Sequence, residues 1–254
     1  MVDRLFSDRD LAALYDAVCA GRPDFAFYLP LVMSARSVLD VGCGTGDLLH
    51  QARAAGHPGR LCGLDPADGM LEQARRRTDV EWILGDLSTT HWDRAFDLVV
   101  MTGHAFQVLL EDEEVRGTFA AVRAALTDEG RFVFETRDPA ARAWGEWTPD
   151  RAVEVVDATG AVVRVANEAD PYDGGDRVSF TTRYTSPGWD GPRLSRSTLR
   201  FLGADEVTSF LAGAGLTVEA QYGDWLRQPL TGTGPEIITV AARGRGQEKG
   251  ATRP

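Results

Sequence analysis

The chain is poor in cysteine, has no long apolar run and carries no block of basic residues before its last dozen positions. Each shortage narrows what it can be. Its 254 residues include three cysteines, Cys19, Cys43 and Cys62. An odd count without zinc-type spacing argues against a disulfide framework and against a structural metal, so free thiols in a reducing cytoplasm and no metal site are expected. No apolar stretch reaches the roughly 20 residues that a membrane-spanning helix needs. The opening residues, Met1 to Asp8, lack the basic-then-apolar layout of a secretory signal. A cytoplasmic protein without a membrane partner is the expectation. With 27 basic against 38 acidic residues and a net charge of −11, a long polyanion is a poor partner, and no nucleic acid is expected. The basic run Arg75-Arg76-Arg77 reads as the solvated end of a helix, where cations meet the favourable end of the dipole.

Two phosphate-binding loops are also missing. A P-loop needs a Gly-Lys-Ser/Thr ending, and there is none. A dinucleotide fingerprint needs G-x-G-x-x-G. Counted from Gly42 its last position falls on Asp47, and counted from Gly44 it falls on Leu49. A nicotinamide dehydrogenase is thereby disfavoured.

What is present is the stretch Ser37-Val38-Leu39-Asp40-Val41-Gly42-Cys43-Gly44-Thr45-Gly46. A short buried strand runs through alternate glycines into a helix opening at Asp47. That layout holds a nucleotide-like ligand in α/β folds, because backbone can approach the ligand and the helix N-terminus offers free N–H groups. An acid at the helix start repels a pyrophosphate and suits a ligand with a cationic or hydroxyl-bearing end.

Val38-Leu39-Asp40-Val41-Gly42-Cys43-Gly44-Thr45-Gly46 resembles the first motif of class I S-adenosylmethionine-dependent methyltransferases of the small-molecule type. The resemblance implies an α/β fold with a Rossmann-like seven-stranded sheet of order 3-2-1-4-5-7-6. It implies S-adenosylmethionine as cofactor and S-adenosylhomocysteine as product. By the same resemblance Asp40 orients the methionine amino group, usually through water, and the backbone of Gly42, Gly44 and Gly46 faces the methionine portion and ribose.

Later landmarks follow in order. Leu11, Leu14, Tyr15 and Val18 make one apolar stripe, so a helix is expected over 8–20, and a second over 24–34. Such helices cap the cofactor in the resembling family, which makes Tyr15 a substrate-pocket candidate; pattern alone favours helix core for it. Residues 60–65 read as the second strand, ending in Asp65 about twenty residues past the glycine turn, where an acid can accept from both ribose hydroxyls. The other reading of Asp65 is a helix N-cap, with Pro66 at the first helical position. Residues 80–84 read as the third strand. By resemblance Asp86 then accepts from the adenine amino group and Leu87 gives a backbone N–H to the ring; a surface turn is the other reading.

Residues 95–101 are continuously apolar after Asp97, as a central parallel strand should be. The loop after them carries His104 and Gln107 where acceptor and methyl should meet. His104 is the catalytic base candidate, since imidazole titrates near neutrality; a loop hydrogen bond is its other reading. A helix over 111–125 with Val115, Phe119, Val122 and Leu126 inward leads to a fifth strand, 131–135, closed by Glu135 and Arg137, candidates for holding the acceptor.

From 139 to 200 the αβ alternation stops. Short alternating runs separated by Thr159-Gly160, Asp173-Gly174-Gly175 and a turn at 187–191 predict an antiparallel sheet inserted after strand five. Its tryptophans and tyrosines are expected mostly in packing. Residues 1–138 and 201–242 then form the Rossmann-like domain with its helical cap, 139–200 the inserted β lid or acceptor subdomain, and 243–254 a disordered tail. A helix at 204–213 and strands at 216–222 and 237–242 complete the body.

The function expected is methyl transfer to oxygen or nitrogen of a small molecule by in-line displacement. A protein or tRNA methyltransferase would want a basic groove or an Asn-Pro-Pro-Tyr-type motif, and neither occurs. A non-catalytic cofactor-binding module is compatible with an intact glycine turn. Acceptor identity and oligomeric state are not encoded legibly.

Overall fold

Strands that are apolar on both faces need helices on both sides, and the chain supplies them in alternation. In the computed structural model, which describes residues 2–232 and 234–244, β1 (Ser37–Val41), β2 (Arg60–Asp65), β3 (Glu81–Leu84), β4 (Phe96–Met101) and β5 (Leu126–Arg137) are parallel. β11 (Glu236–Arg243) runs antiparallel to β5, and β10 (Leu216–Tyr222) antiparallel to β11. The order β3-β2-β1-β4-β5-β11-β10 is the one expected.

Side chains alternate between two cores. Leu39, Val99, Phe132 and Phe134 face α7 (Asp112–Ala125) through Val115, Phe119 and Val122. Val38, Leu98, Val100, Val133 and Ile238 face α4 (Phe25–Ser34) and α5 (Asp47–Ala54) through Phe27, Tyr28, Leu48 and Leu49. A capping box of Glu111 and Glu114 starts α7, with acids in its first turn. The strand order reverses between β1 and β4, which places the carboxyl ends of β1, β2 and β4 around one crevice.

The inserted sheet is present as β6 (Val153–Val156), β7 (Val162–Ala169), β8 (Arg177–Thr185) and β9 (Arg193–Arg200), antiparallel throughout. Gly160 and Gly174 take positive φ in its turns, at 88° and 92°. Trp144, Trp147 and Phe201 pack together at one end of it, and Tyr184 is buried with Val163 and Val165 at the other. α8 (Ala204–Gly213) returns the chain to β10.

Five expectations are corrected. The helix over 8–20 is three short turns, α1 (Arg4–Ser7), α2 (Arg9–Ala12) and α3 (Tyr15–Val18). Asp8 restarts the helix by accepting from Asp10 and Leu11 N–H. Leu11 and Leu14 pack on the inserted sheet while Ala12 and Tyr15 pack toward Met70, two directions that one straight stripe cannot serve. Pro66 is not the first helical residue: the Asp65 carboxylate accepts from Ala67 N–H at 2.8 Å, and α6 starts at Asp68 (Asp68–Ala74). Leu126, although buried, leaves α7 and opens β5. The fifth strand is longer than 131–135, because β5 keeps pairing across an irregularity opposite Phe96 and Leu98. Arg243, expected in the tail 243–254, instead pairs with Leu216 as the last residue of β11, and the expectation beyond residue 244 lies outside the described residues. Arg75 and Arg77 pair with Asp68 and Asp79 on the surface, as a solvated helix end should. The three cysteines are free. Among the described residues no helix is long and apolar enough to cross a membrane.

Candidate cofactor and acceptor site

The glycine turn is shaped by contact as much as by conformation. Gly42 sits at φ 71°, and a Cβ there would stand 2.8 Å from the Ala105 Cβ. The turn after β1 therefore lies directly against the loop after β4, and a side chain would part them. Gly42 and Cys43 N–H both donate to Leu64 O, tying the turn to β2. Gly46 is the N-cap of α5, and Asp47 sits in that helix's first turn.

Asp65 ends β2 and is 7% exposed. One oxygen accepts from Gly44 N–H at 2.8 Å and the other from Ala67 N–H at 2.8 Å. Burial pushes its carboxyl up, and these two N–H groups pull it back. Each oxygen keeps a further accepting position.

Asp40 in β1 is 1% exposed, and its Oδ1 has no hydrogen-bond partner. Burial is the main cause that raises its carboxyl to about 7; Arg22 opposes the rise, while Asp65 and Glu135 add to it. An unpaired carboxylate in such a place is costly unless a cation or donor arrives. Arg22 is the nearby cation. It pairs with Asp24, crosses the Phe25 ring at 4.4 Å, and lies so close to Gly103 that a Cβ there would meet its Nη2 at 3.1 Å.

Asp40, Asp65, Arg22 and residues Gly42, Cys43, Gly44 and Thr45 of the glycine turn line a cavity of about 750 Å³, together with Tyr15, Met70, Asp86, Thr102 and Gly103. It extends to Asp3 and Phe6 of the N-terminal segment and to Arg196 and Thr198 of β9. Tyr15, from α3, keeps its phenol protonated through burial. The Asp86 carboxylate accepts from Ser88 Oγ and from Ser88 and Thr89 N–H, which hold it below the usual range. Leu87 is buried in the core beneath it.

Six residues named from the sequence stand behind the cavity wall rather than on it: Leu87, Gly46, where a Cβ would collide with the Trp82 ring, and the four that follow. His104 adopts φ 61°, donates its backbone N–H to Glu135 at 2.7 Å and places Nε2 2.9 Å from Glu236 Oε2. Burial, helped by Arg137, lowers its imidazole to about 4, while burial raises Glu236 to about 7. Both shifts favour the uncharged form of each side chain. Glu135 is fully buried and also accepts from Tyr28 OH. Gln107 accepts from Arg137 at 2.7 Å and donates to Arg200 O at 3.1 Å. Arg137 lies over the Trp147 ring at 5.6 Å.

Arg22, Tyr28, Thr102 and Glu236 were missed. Arg22-Pro23-Asp24 just before a helix was the available signal for the first; the others are brought in by tertiary packing alone.

The chain is similar to known methyltransferases. Residues 38–130 match the family model described as "Methyltransferase domain". A relative from a Streptomyces species, described as a cypemycin N-terminal methyltransferase, is 27% identical over 83% of this chain and 84% of its own length. A relative from Saccharopolyspora spinosa, described as a dTDP-4-amino-2,3,4,6-tetradeoxy-D-glucose N,N-dimethyltransferase, is also 27% identical, over 83% of this chain and 86% of its own. Among solved structures, that of CalS10, an amino pentose methyltransferase from Micromonospora echinaspora with S-adenosylmethionine bound, superimposes with a TM-score of 0.67 and 27% identity, covering 91% of this chain and 96% of that one. Fold, motif order and these matches support a class I S-adenosylmethionine-dependent methyltransferase.

Proposed function

We propose that this chain methylates an oxygen or nitrogen of a small molecule, that an amino group of a sugar-type acceptor is the best-supported target, and that the cavity residues divide the work between cofactor and acceptor. The acceptor class is supported by the names of the relatives, three of which act on amines by their descriptions. The division of work is supported by how the residues fit the cofactor's groups. Asp40, buried without a partner, suits the ammonium of the methionine end, and Arg22 suits its carboxylate. Asp65 suits the ribose hydroxyls, since each of its oxygens can accept once more. Asp86 and the Leu87 N–H suit the adenine edge, and the backbone of Gly42 and Gly44 gives the close approach, while Gly46 makes room for Trp82.

When bound, the cofactor supplies a methyl group on a positively charged sulfur. The protein's remaining task is to align an acceptor and keep water out. Tyr15 caps the cavity from α3 with a phenol that stays protonated, so it orients an acceptor by hydrogen bonding rather than by taking a proton. His104, the base candidate from sequence, becomes a positioning residue on this geometry. Its ring is committed to Glu236, its backbone to Glu135, and together they fix the loop whose Thr102 and Gly103 form the wall. Gln107 and Arg137 extend that support toward β9.

The observation that carries the proposal is the unpartnered Asp40 carboxylate beside Asp65 at the switch point of the sheet. Calorimetric titration with S-adenosylmethionine and S-adenosylhomocysteine tests it. Binding by the wild type that Asp65→Ala weakens at least tenfold is expected. Equal binding by both proteins would remove Asp65 from the site, and no binding by the wild type would remove the proposal.

A further inference from the structure

The inserted sheet ends in a free edge. Its strand order is β6-β7-β8-β9, so β9 pairs on one side only, with β8. In an antiparallel pair, residues that bond across the pair alternate with residues whose N–H and C=O point away from it. Phe201 N–H donates to Asp176 O at 2.7 Å, one step beyond the pair of Arg200 with Arg177. That bond sets the phase. Leu199, Ser197 and Ser195 turn their backbone groups toward β8, and Arg200, Thr198 and Arg196 turn theirs away. Gln107 meets the same phase from outside, donating from Nε2 to Arg200 O at 3.1 Å. Among the described residues, nothing bonds to the outward N–H and C=O of Arg196 and Thr198.

These two residues line the cavity. Their side chains are engaged across the sheet, the Arg196 guanidinium with Asp170 and Thr198 Oγ1 with Ser179 Oγ at 2.7 Å. What they keep free is backbone, a donor and an acceptor on each. An unpaired edge is a template for another strand, and proteins usually cover or blunt it. Here only its ends are covered. Leu5 N–H donates to Ser195 Oγ at 2.9 Å, and Gln107 holds Arg200 O. Leu5 stands in the turn α1, so it cannot extend the ladder. The open stretch, residues 196–199, spans roughly 13 Å at about 3.3 Å per residue. It is too short and too recessed for the edge of another folded sheet, and it suits a single extended chain. Val2 and Phe6 on one side, and Val108 and Leu110 after β4, give apolar surface for alternate side chains of such a chain.

We infer that the free edge of β9 binds a short extended peptide as a fifth strand of the inserted sheet, which makes a peptide with a free amino end a further acceptor class for this cavity. In this mode main-chain hydrogen bonds supply the affinity, and the surfaces under alternate side chains supply the preference. The inference rests on the proposed function for the fate of the amino group, while the edge is a property of the inserted sheet alone. It adds a second kind of amine to the sugar-type one. A peptide matches the outward groups of Arg196 and Thr198 residue for residue, because its own N–H and C=O repeat with a period of two.

The probe is tetra-alanine amide, titrated into the full chain by calorimetry with and without saturating S-adenosylhomocysteine. Two analogues carry a methyl group on the amide nitrogen of the second or of the third alanine. Neighbouring residues of a paired strand point opposite ways, so one analogue should bind roughly tenfold more weakly than the parent and the other almost equally well. Thr198→Pro removes one outward N–H and leaves the bonds to β8, a position where an edge strand accepts proline. It should weaken the peptide severalfold, whereas Thr198→Val, which keeps the N–H, should not. Hydrogen exchange at Arg196 and Thr198 should slow when the peptide is added. Undetectable binding of the parent overturns the inference, and so does equal binding of the two analogues or unchanged binding by Thr198→Pro. Slow exchange at both residues before any peptide is added would also overturn it, because another part of the protein would then fill the edge. The comparison of analogues uses the wild-type chain and so does not depend on the folding of the proline variant. Failure of S-adenosylhomocysteine to bind counts against the cofactor assignment, and the titrations without it decide the edge separately.

Discussion

Asp40 gives a quantitative handle on the site. Its carboxyl stands at about 7 in the ligand-free protein, against 3.8 unperturbed, because it is buried without a partner. Three units at about 1.4 kcal/mol each put the cost of keeping it ionised near 4 kcal/mol, to order of magnitude. A ligand ammonium beside it removes most of that cost by favouring the ionised form. The direction follows. Below about pH 7 the free protein holds a proton on Asp40 that the complex does not, so binding must release close to one proton. Affinity for S-adenosylhomocysteine should rise by up to about tenfold per pH unit between roughly pH 5 and 7, then level off. Calorimetry in two buffers of different ionisation enthalpy reads the proton directly. In Asp40→Asn the release should vanish and the pH profile flatten. The same linkage acts on folding. A raised carboxyl means the folded state binds more protons than the unfolded one between about pH 4 and 7, so ligand-free stability should decline across that window. A flat affinity profile with no proton release in the wild type would refute the reasoning, because Asp40 would then not meet a cation.

The other predictions concern the supports of the wall. Tyr28→Phe leaves a fully buried Glu135 oxygen without its donor and should lower unfolding free energy by about 1–3 kcal/mol in denaturant titration; an unchanged midpoint would mean that the bond is not made. Gly42→Ala sets a Cβ against Ala105 at positive φ, with about 1–2 kcal/mol of backbone cost, and should weaken S-adenosylhomocysteine binding as well as lower the melting temperature. His104→Asn keeps a residue that tolerates left-handed backbone and keeps the N–H to Glu135. With any acceptor that is turned over, its rate should stay within about tenfold of wild type, whereas loss of a general base costs about 10²–10⁴.

Most of the body was legible because its signals are local. The apolar run of β1 with Asp40 inside it and the glycines after it are contiguous in sequence, and Asp65 closes the next strand. The periodicity of α7 and the turns of the inserted sheet are also contiguous. The N-terminal helix misled because its stripe serves two partners, Met70 on one side and Val163 with Tyr184 on the other, which periodicity cannot distinguish. His104 shows a related effect. Loop position placed it at the reacting end of the sheet, but its direction depends on Glu135 and Glu236, 31 and 132 residues away in the chain. Arg22 was invisible as a site residue because its value lies in touching Gly103 across the crevice. Side-chain direction in a loop is set by such distant partners, and a single sequence does not display them.

A crystal structure of the complex with S-adenosylhomocysteine tests the central claim most directly. The account predicts the ribose hydroxyls on the Asp65 carboxylate, the amino group within reach of the now-partnered Asp40 Oδ1, the carboxylate end near Arg22 and the adenine beside Asp86. A ligand seated elsewhere, or one that leaves Asp40 unpaired and Asp65 bonded only to Gly44 and Ala67, would contradict it.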